Sequence, residues 1–96
     1  MASTAVRGAV LTFTGNPFSE PVEECICYEK DAIILMVDGI ITKFGPASEI
    51  QKLIPDSVTV QHYQDALILP GFIDCHVHYP QTEIIGAYGK QLIDWL

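Results

Sequence analysis

The chain has 96 residues, 49% of them hydrophobic, with a mean hydropathy of +0.28. That is ample for one small core and high for a free-standing domain of this size. Twelve acidic residues against five Lys and Arg leave a net charge of -7, which argues against a nucleic-acid or anionic-membrane surface because few cations are available to meet phosphates.

Three cysteines (Cys25, Cys27 and Cys75) form no disulfide-like framework and point to a reducing, cytoplasmic setting. The N-terminus carries no clear positive segment followed by an apolar leader core. No run approaches the roughly 20 apolar residues of a membrane span. There is no internal repeat and no low-complexity segment.

In chain order, residues 6–14 are rich in β-branched and aromatic types and read as a strand, ended by the turn-prone Gly15-Asn16-Pro17. Residues 23–28 alternate weakly and predict a second strand. Residues 32–37 form a solid apolar run, and Asp38-Gly39 separates it from another β-rich run at 40–44. That arrangement is a strong short-range hairpin signal. Residues 47–53 carry helix formers, with Ile50, Leu53 and Ile54 at helical spacing before Pro55. Two further short strands are expected at 58–63 and 66–69. Pro70-Gly71 sets them apart from an apolar strand at 72–78, a polar, glycine-bearing loop at 79–90 and a helix beginning near Gln91. Residues 1–69 therefore read as a small antiparallel β unit, and residues 70–96 as the opening of a β/α unit, giving an α/β chain overall.

The chemistry concentrates in PGFIDCHVHYPQ, residues 70–81. On a strand, side chains alternate faces, so Asp74, His76 and His78 point one way while Cys75 and Val77 point the other. Two imidazoles on one face, about 6.6 Å apart at the backbone, can converge on a single ion. Two histidines do not complete a catalytic zinc site, which usually takes three protein ligands and an open position. The other histidine, His62, lies upstream and reads as a surface residue of the small domain. Cys25 and Cys27 share a strand face, where ordinary burial is the simpler reading. Cys75 is expected to pack.

These residues resemble the amidohydrolase superfamily, whose mark is an apolar strand ending in His-x-His after Pro-Gly-Phe-x-Asp, matched by Pro70, Gly71, Phe72, Asp74, His76 and His78. Within it, Tyr79-Pro80-Gln81-Thr82, the segment 84–89 (IIGAYG) and the segment 92–96 (LIDWL) resemble guanine deaminases. The hairpin VDGIITKFGP and the lead-in ALILPG resemble the N-terminal half of the small β domain that accompanies their barrel. The resemblance covers nearly all of this chain but only the first quarter or so of such a protein. It implies the first strand, loop and helix start of a (β/α)₈ metal-dependent hydrolase barrel, whose active site lies at the C-terminal ends of the strands.

The implied activity is zinc-dependent hydrolytic deamination of guanine to xanthine and ammonia. His76 and His78 would be metal ligands, Gln81 and His78 would border the purine, and Asp74 would hold an imidazole or a backbone group from behind. The remaining ligands and a proton-shuttling glutamate would lie beyond this chain, leaving it inactive alone. The whole protein would be a cytoplasmic enzyme, a homodimer, acting on a small molecule. Two alternatives stay open: an amidohydrolase acting on another aminated heterocycle or a cyclic amide, and a non-catalytic interaction module that pairs through its strands.

Overall fold

A computed structural model of the chain describes residues 2–80 together with Gly86 and Ile93. Four strands form one sheet in the order β3-β2-β1-β4. β1 (Ser3–Phe13) is central and pairs antiparallel with β2 (Ile26–Val37), which pairs antiparallel with β3 (Ile40–Pro46). β4 (Val60–Ile68) runs parallel to β1, so the sheet is mixed rather than purely antiparallel. A parallel neighbour needs a crossover connection. Here it is supplied by α2 (Ala47–Ile50) and the 3₁₀ turn Gln51–Leu53.

The β2–β3 hairpin turns on Asp38 and Gly39, whose φ values of 51° and 81° are both positive. Two left-handed residues are what a two-residue hairpin loop matching strand twist requires, and Asp-Gly supplies them at low cost. The turn is tied to the start of β1, since Ala2 N–H donates to Asp38 Oδ1 (2.9 Å) and Asp38 N–H donates to Ala2 O (2.8 Å).

Three elements differ from the sequence reading. Residues 22–25 form a helical turn, α1 (Val22–Cys25), rather than the start of a strand. Pro21 precedes it and Glu23 and Glu24 occupy its first turn, where acidic groups are favoured. The polar run Glu29-Lys30-Asp31 does not break the sheet, because β2 continues straight through it. A bulge between the Gly8–Ala32 and Val10–Glu29 pairs absorbs one extra residue there. Finally, the two runs expected at 58–63 and 66–69 join in one strand, whose ladder with β1 slips between the Gly8–Tyr63 and Ala9–Leu67 pairs.

The bulge also sets an ion pair across the strands. Arg7 Nε and Nη2 donate to Asp31 Oδ1 and Oδ2 at 2.8 and 2.7 Å, a two-pronged geometry. Arg7 holds the Asp31 carboxyl below its ordinary value of 3.8, chiefly through these hydrogen bonds. A depressed carboxylate adds stability that is complete above the unfolded-state value and is lost as pH falls through the folded-state value. Asp31→Asn should therefore flatten the acid limb of the stability–pH curve below about pH 4. Denaturant midpoints on either side of that pH check it. The effect is small because both side chains are solvent-exposed.

Cross-strand partners share a face. One face carries Ala5, Ile33 and Leu35, and α2 lays Ala47 and Ile50 over them to form the core, with Ile54, Val58 and Val60 packed around it. Ile33 is completely buried. The opposite face carries Val10, Ile34, Phe44 and Ile68, which with Pro70 line an open apolar groove of about 260 Å³. Among the described residues no helix is long and apolar enough to cross a membrane.

Candidate metal centre

The sheet ends at Ile68, and residues 69–78 leave it without regular secondary structure, with a bend at Cys75 and His76, before a 3₁₀ turn at Tyr79 and Pro80. The strand expected over 72–78 is not formed. A strand is held by ladder hydrogen bonds to neighbours, and none of β1 to β4 pairs with this segment. Phe72 and Ile73 are correspondingly exposed, at 92% and 90%. Cys75, expected to pack, is exposed for the same reason. An apolar run of this kind becomes a buried parallel strand only when other strands and helices cover both its faces.

Within this segment the two histidines come together. The rings of His76 and His78 lie 5.4 Å apart between centroids, tilted by 42°. That spacing fits a shared ion. A zinc–nitrogen bond of about 2.0–2.1 Å places each ring centre roughly 3.2 Å from the metal, and a tetrahedral angle then separates the two centres by about 5.2 Å. Imidazole nitrogen is also a suitable donor for zinc and its neighbours.

The donor set is partial, since no group of three or more His, Cys, Asp or Glu side chains able to hold a metal occurs among the described residues. Asp74 does not reach toward that role. Its Oδ1 accepts the main-chain N–H of His76 at 3.0 Å. Gln81, the segment 84–89 apart from Gly86, the helix expected from Gln91 and its Leu92 and Trp95 lie outside the described residues.

The other candidate residues stand apart from the histidine pair. His62 is exposed on β4 beside Arg7 of β1. Cys25 is buried and Cys27 half-buried, both as free thiols. Nothing in the sequence marks Arg7 and Asp31 as partners, because the contact joins neighbouring strands, with Arg7 paired to Ile33 and Asp31 in the irregular stretch beyond Ala32.

No family model matches the chain. It is 40% identical over 95 residues to the guanine deaminase of Escherichia coli, a match covering 96% of this chain and 21% of that protein. It is 32% identical over 94 residues to a probable guanine deaminase of Deinococcus radiodurans, covering 94% of this chain and 21% of that one. The crystal structure of guanine deaminase from Bradyrhizobium japonicum matches with a TM-score of 0.74 at 36% identity, covering 99% of this chain and 21% of that chain. The chain thus spans about a fifth of the length of the relatives it matches. Over nearly its whole length it is similar in sequence and fold to a part of guanine deaminases.

Proposed function

We propose that this chain is the N-terminal segment of an enzyme that hydrolyses guanine to xanthine and ammonia. The observation that carries the reading is the His76–His78 pair, 5.4 Å between ring centres, within a chain 40% identical to a guanine deaminase. Residues 1–69 form part of the small β domain and residues 70–96 open the barrel. The exposed apolar segment at 72–73 and the open groove on the sheet support this division. Both are surfaces that a larger body would cover.

His76 and His78 would hold zinc through one nitrogen each, as neutral imidazoles. Bound there, zinc acts as a Lewis acid that makes water a usable nucleophile near neutral pH. A catalytic zinc site takes more than two protein donors, and no group of three occurs among the described residues, so the 96 residues alone are expected to be inactive. Gln81, three residues past His78, would face the purine. Its amide offers both a donor and an acceptor to a heterocycle edge. His78 would border the same substrate from the metal side. The whole protein is cytoplasmic on this reading and works as a homodimer.

The test is ammonia release by the full-length protein from guanine, adenine, cytosine and hydantoin. Turnover of guanine at least tenfold above the others is expected, because a pocket built to pair specific donors and acceptors rejects rings that leave them unpaired. The isolated 96-residue chain should release none. Preference for hydantoin or cytosine would replace guanine as the substrate. Absence of turnover on all four would remove the enzymatic reading.

A further inference from the structure

We infer that Asp38 is a site of spontaneous isomerisation to isoaspartate, held in check by the contact that Ala2 makes with it.

Asp38-Gly39 is the one Asp-Gly pair in the sequence. The reaction is intramolecular and needs only water. The Gly39 amide nitrogen attacks Cγ of the protonated Asp38 carboxyl, and the new C–N bond closes a five-membered succinimide. The carboxyl hydroxyl leaves as water with the amide proton. A second water then opens the ring. Entry at Cγ restores aspartate, and entry at the main-chain carbonyl leaves isoaspartate, in which the chain runs through Cβ and Cγ.

The rate of such a closure depends on how readily the two reacting atoms approach each other. Glycine obstructs the approach least, having no Cβ, and a Cβ built at Gly39 would meet nothing within 4 Å. Both turn residues are exposed, so water reaches the ring. Among the described residues the Gly39 N–H makes no main-chain hydrogen bond outside the strands, so none there is broken by its attack.

The opposing contact comes from Ala2. Asp38 Oδ1 accepts the Ala2 N–H at 2.9 Å, and the Asp38 N–H donates to Ala2 O at 2.8 Å. A carboxyl held against Ala2 is not free to swing onto the next amide. Isomerisation therefore waits for Ala2 to part from the turn. Ala2 lies just outside the β1–β2 ladder, which ends at the Ser3–Val37 pair, and the ends of elements open at the lowest cost. Once formed, isoaspartate lengthens the main chain of the turn by one carbon. The two-residue geometry that sets Val37 opposite Ile40 is then lost.

The experiment incubates the full-length protein at neutral pH in heavy-oxygen water. Peptide mass spectrometry reads label uptake at Asp38, and fragmentation separates isoaspartate from aspartate. Uptake should be at least about tenfold slower in the folded parent than in the same protein in denaturant, because the turn holds the reacting atoms apart. Ala2→Pro removes the donated N–H and keeps the carbonyl. It should speed uptake about three- to tenfold, the change in an opening equilibrium when one hydrogen bond is lost. Ala2→Gly keeps the N–H on a looser backbone and should fall between the parent and Ala2→Pro. Asp56, exposed and followed by Ser57, is the internal reference and should not change among folded variants. An unchanged rate in Ala2→Pro overturns the proposal. So does uptake at Asp38 as fast in the folded parent as in denaturant, or label without isoaspartate. A rise at Asp56 matching that at Asp38 overturns it as well, since general unfolding would then be the cause. If Ala2→Pro fails to fold, Ala2→Gly decides, and no rise above the parent overturns the proposal.

Discussion

Replacing His76 or His78 by alanine in the full-length protein should strip the metal and lower kcat/KM for guanine by on the order of a thousandfold or more. A metal used as a Lewis acid contributes several kcal/mol to the barrier, and each 1.36 kcal/mol is about tenfold in rate. On the proposed reading each histidine would be one of few donors, so deleting one would weaken the hold on zinc and with it the Lewis-acid activation of water. Metal content by elemental analysis and steady-state kinetics on the same preparations check both halves. His62→Ala is the control: His62 lies on β4, beside Arg7 and away from the pair, and its loss should leave metal content and rate within about twofold, as expected for an exposed position. Full metal content and rate after either ligand substitution would reject the assignment.

The second large effect lies in the core. Ile33→Ala should destabilise the four-stranded sheet by about 2–5 kcal/mol, the cost of a large-to-small change at a fully packed site. Ile33 is completely buried between the sheet and α2, against Ala5, Leu35, Ala47 and Ile50. So small a cluster has little spare packing with which to close the void. Denaturant unfolding, with hydrogen exchange followed at the β2 amides, reads the change where it occurs. A loss below about 1 kcal/mol would mean that α2 does not cover this face as described.

How far the chain could be read without coordinates depended on how local each determinant was. Asp38-Gly39 carries its own backbone preference, so the hairpin was legible at once, although the register shift between Leu35 and Met36 was not. The Pro55 stop and the short helix before it were legible for the same reason. Residues 29–31 misled because their polarity resembles a turn. What keeps them in the sheet is a bulge and an arginine on the neighbouring strand, neither of which is visible nearby in sequence. The parallel direction of β4 was hidden too, since it depends on where a crossover lands. Residues 72–78 carry every local mark of a strand and lack only partners, which a local pattern cannot provide. At the candidate site, the His-x-His spacing was legible, but the strand whose alternation was expected to align the two rings is not formed. The atom to which Asp74 bonds was not legible, because imidazole and backbone amide are both within reach of a carboxylate on that spacing.

The central position of β1 bears on how the domain is assembled in time. Its antiparallel neighbour β2 can take shape early, because β2 pairs with β3 around the tight turn at residues 38–39 on the microsecond scale of hairpins. Its other neighbour cannot. Ala5 pairs with Val60 and Val10 with Ile68, so β1 completes its ladder only once synthesis has passed Ile68. Such distant pairing raises contact order and slows folding. During that interval one flank of β1 is an open template for any passing strand, and the nascent chain is then most vulnerable to misassembly.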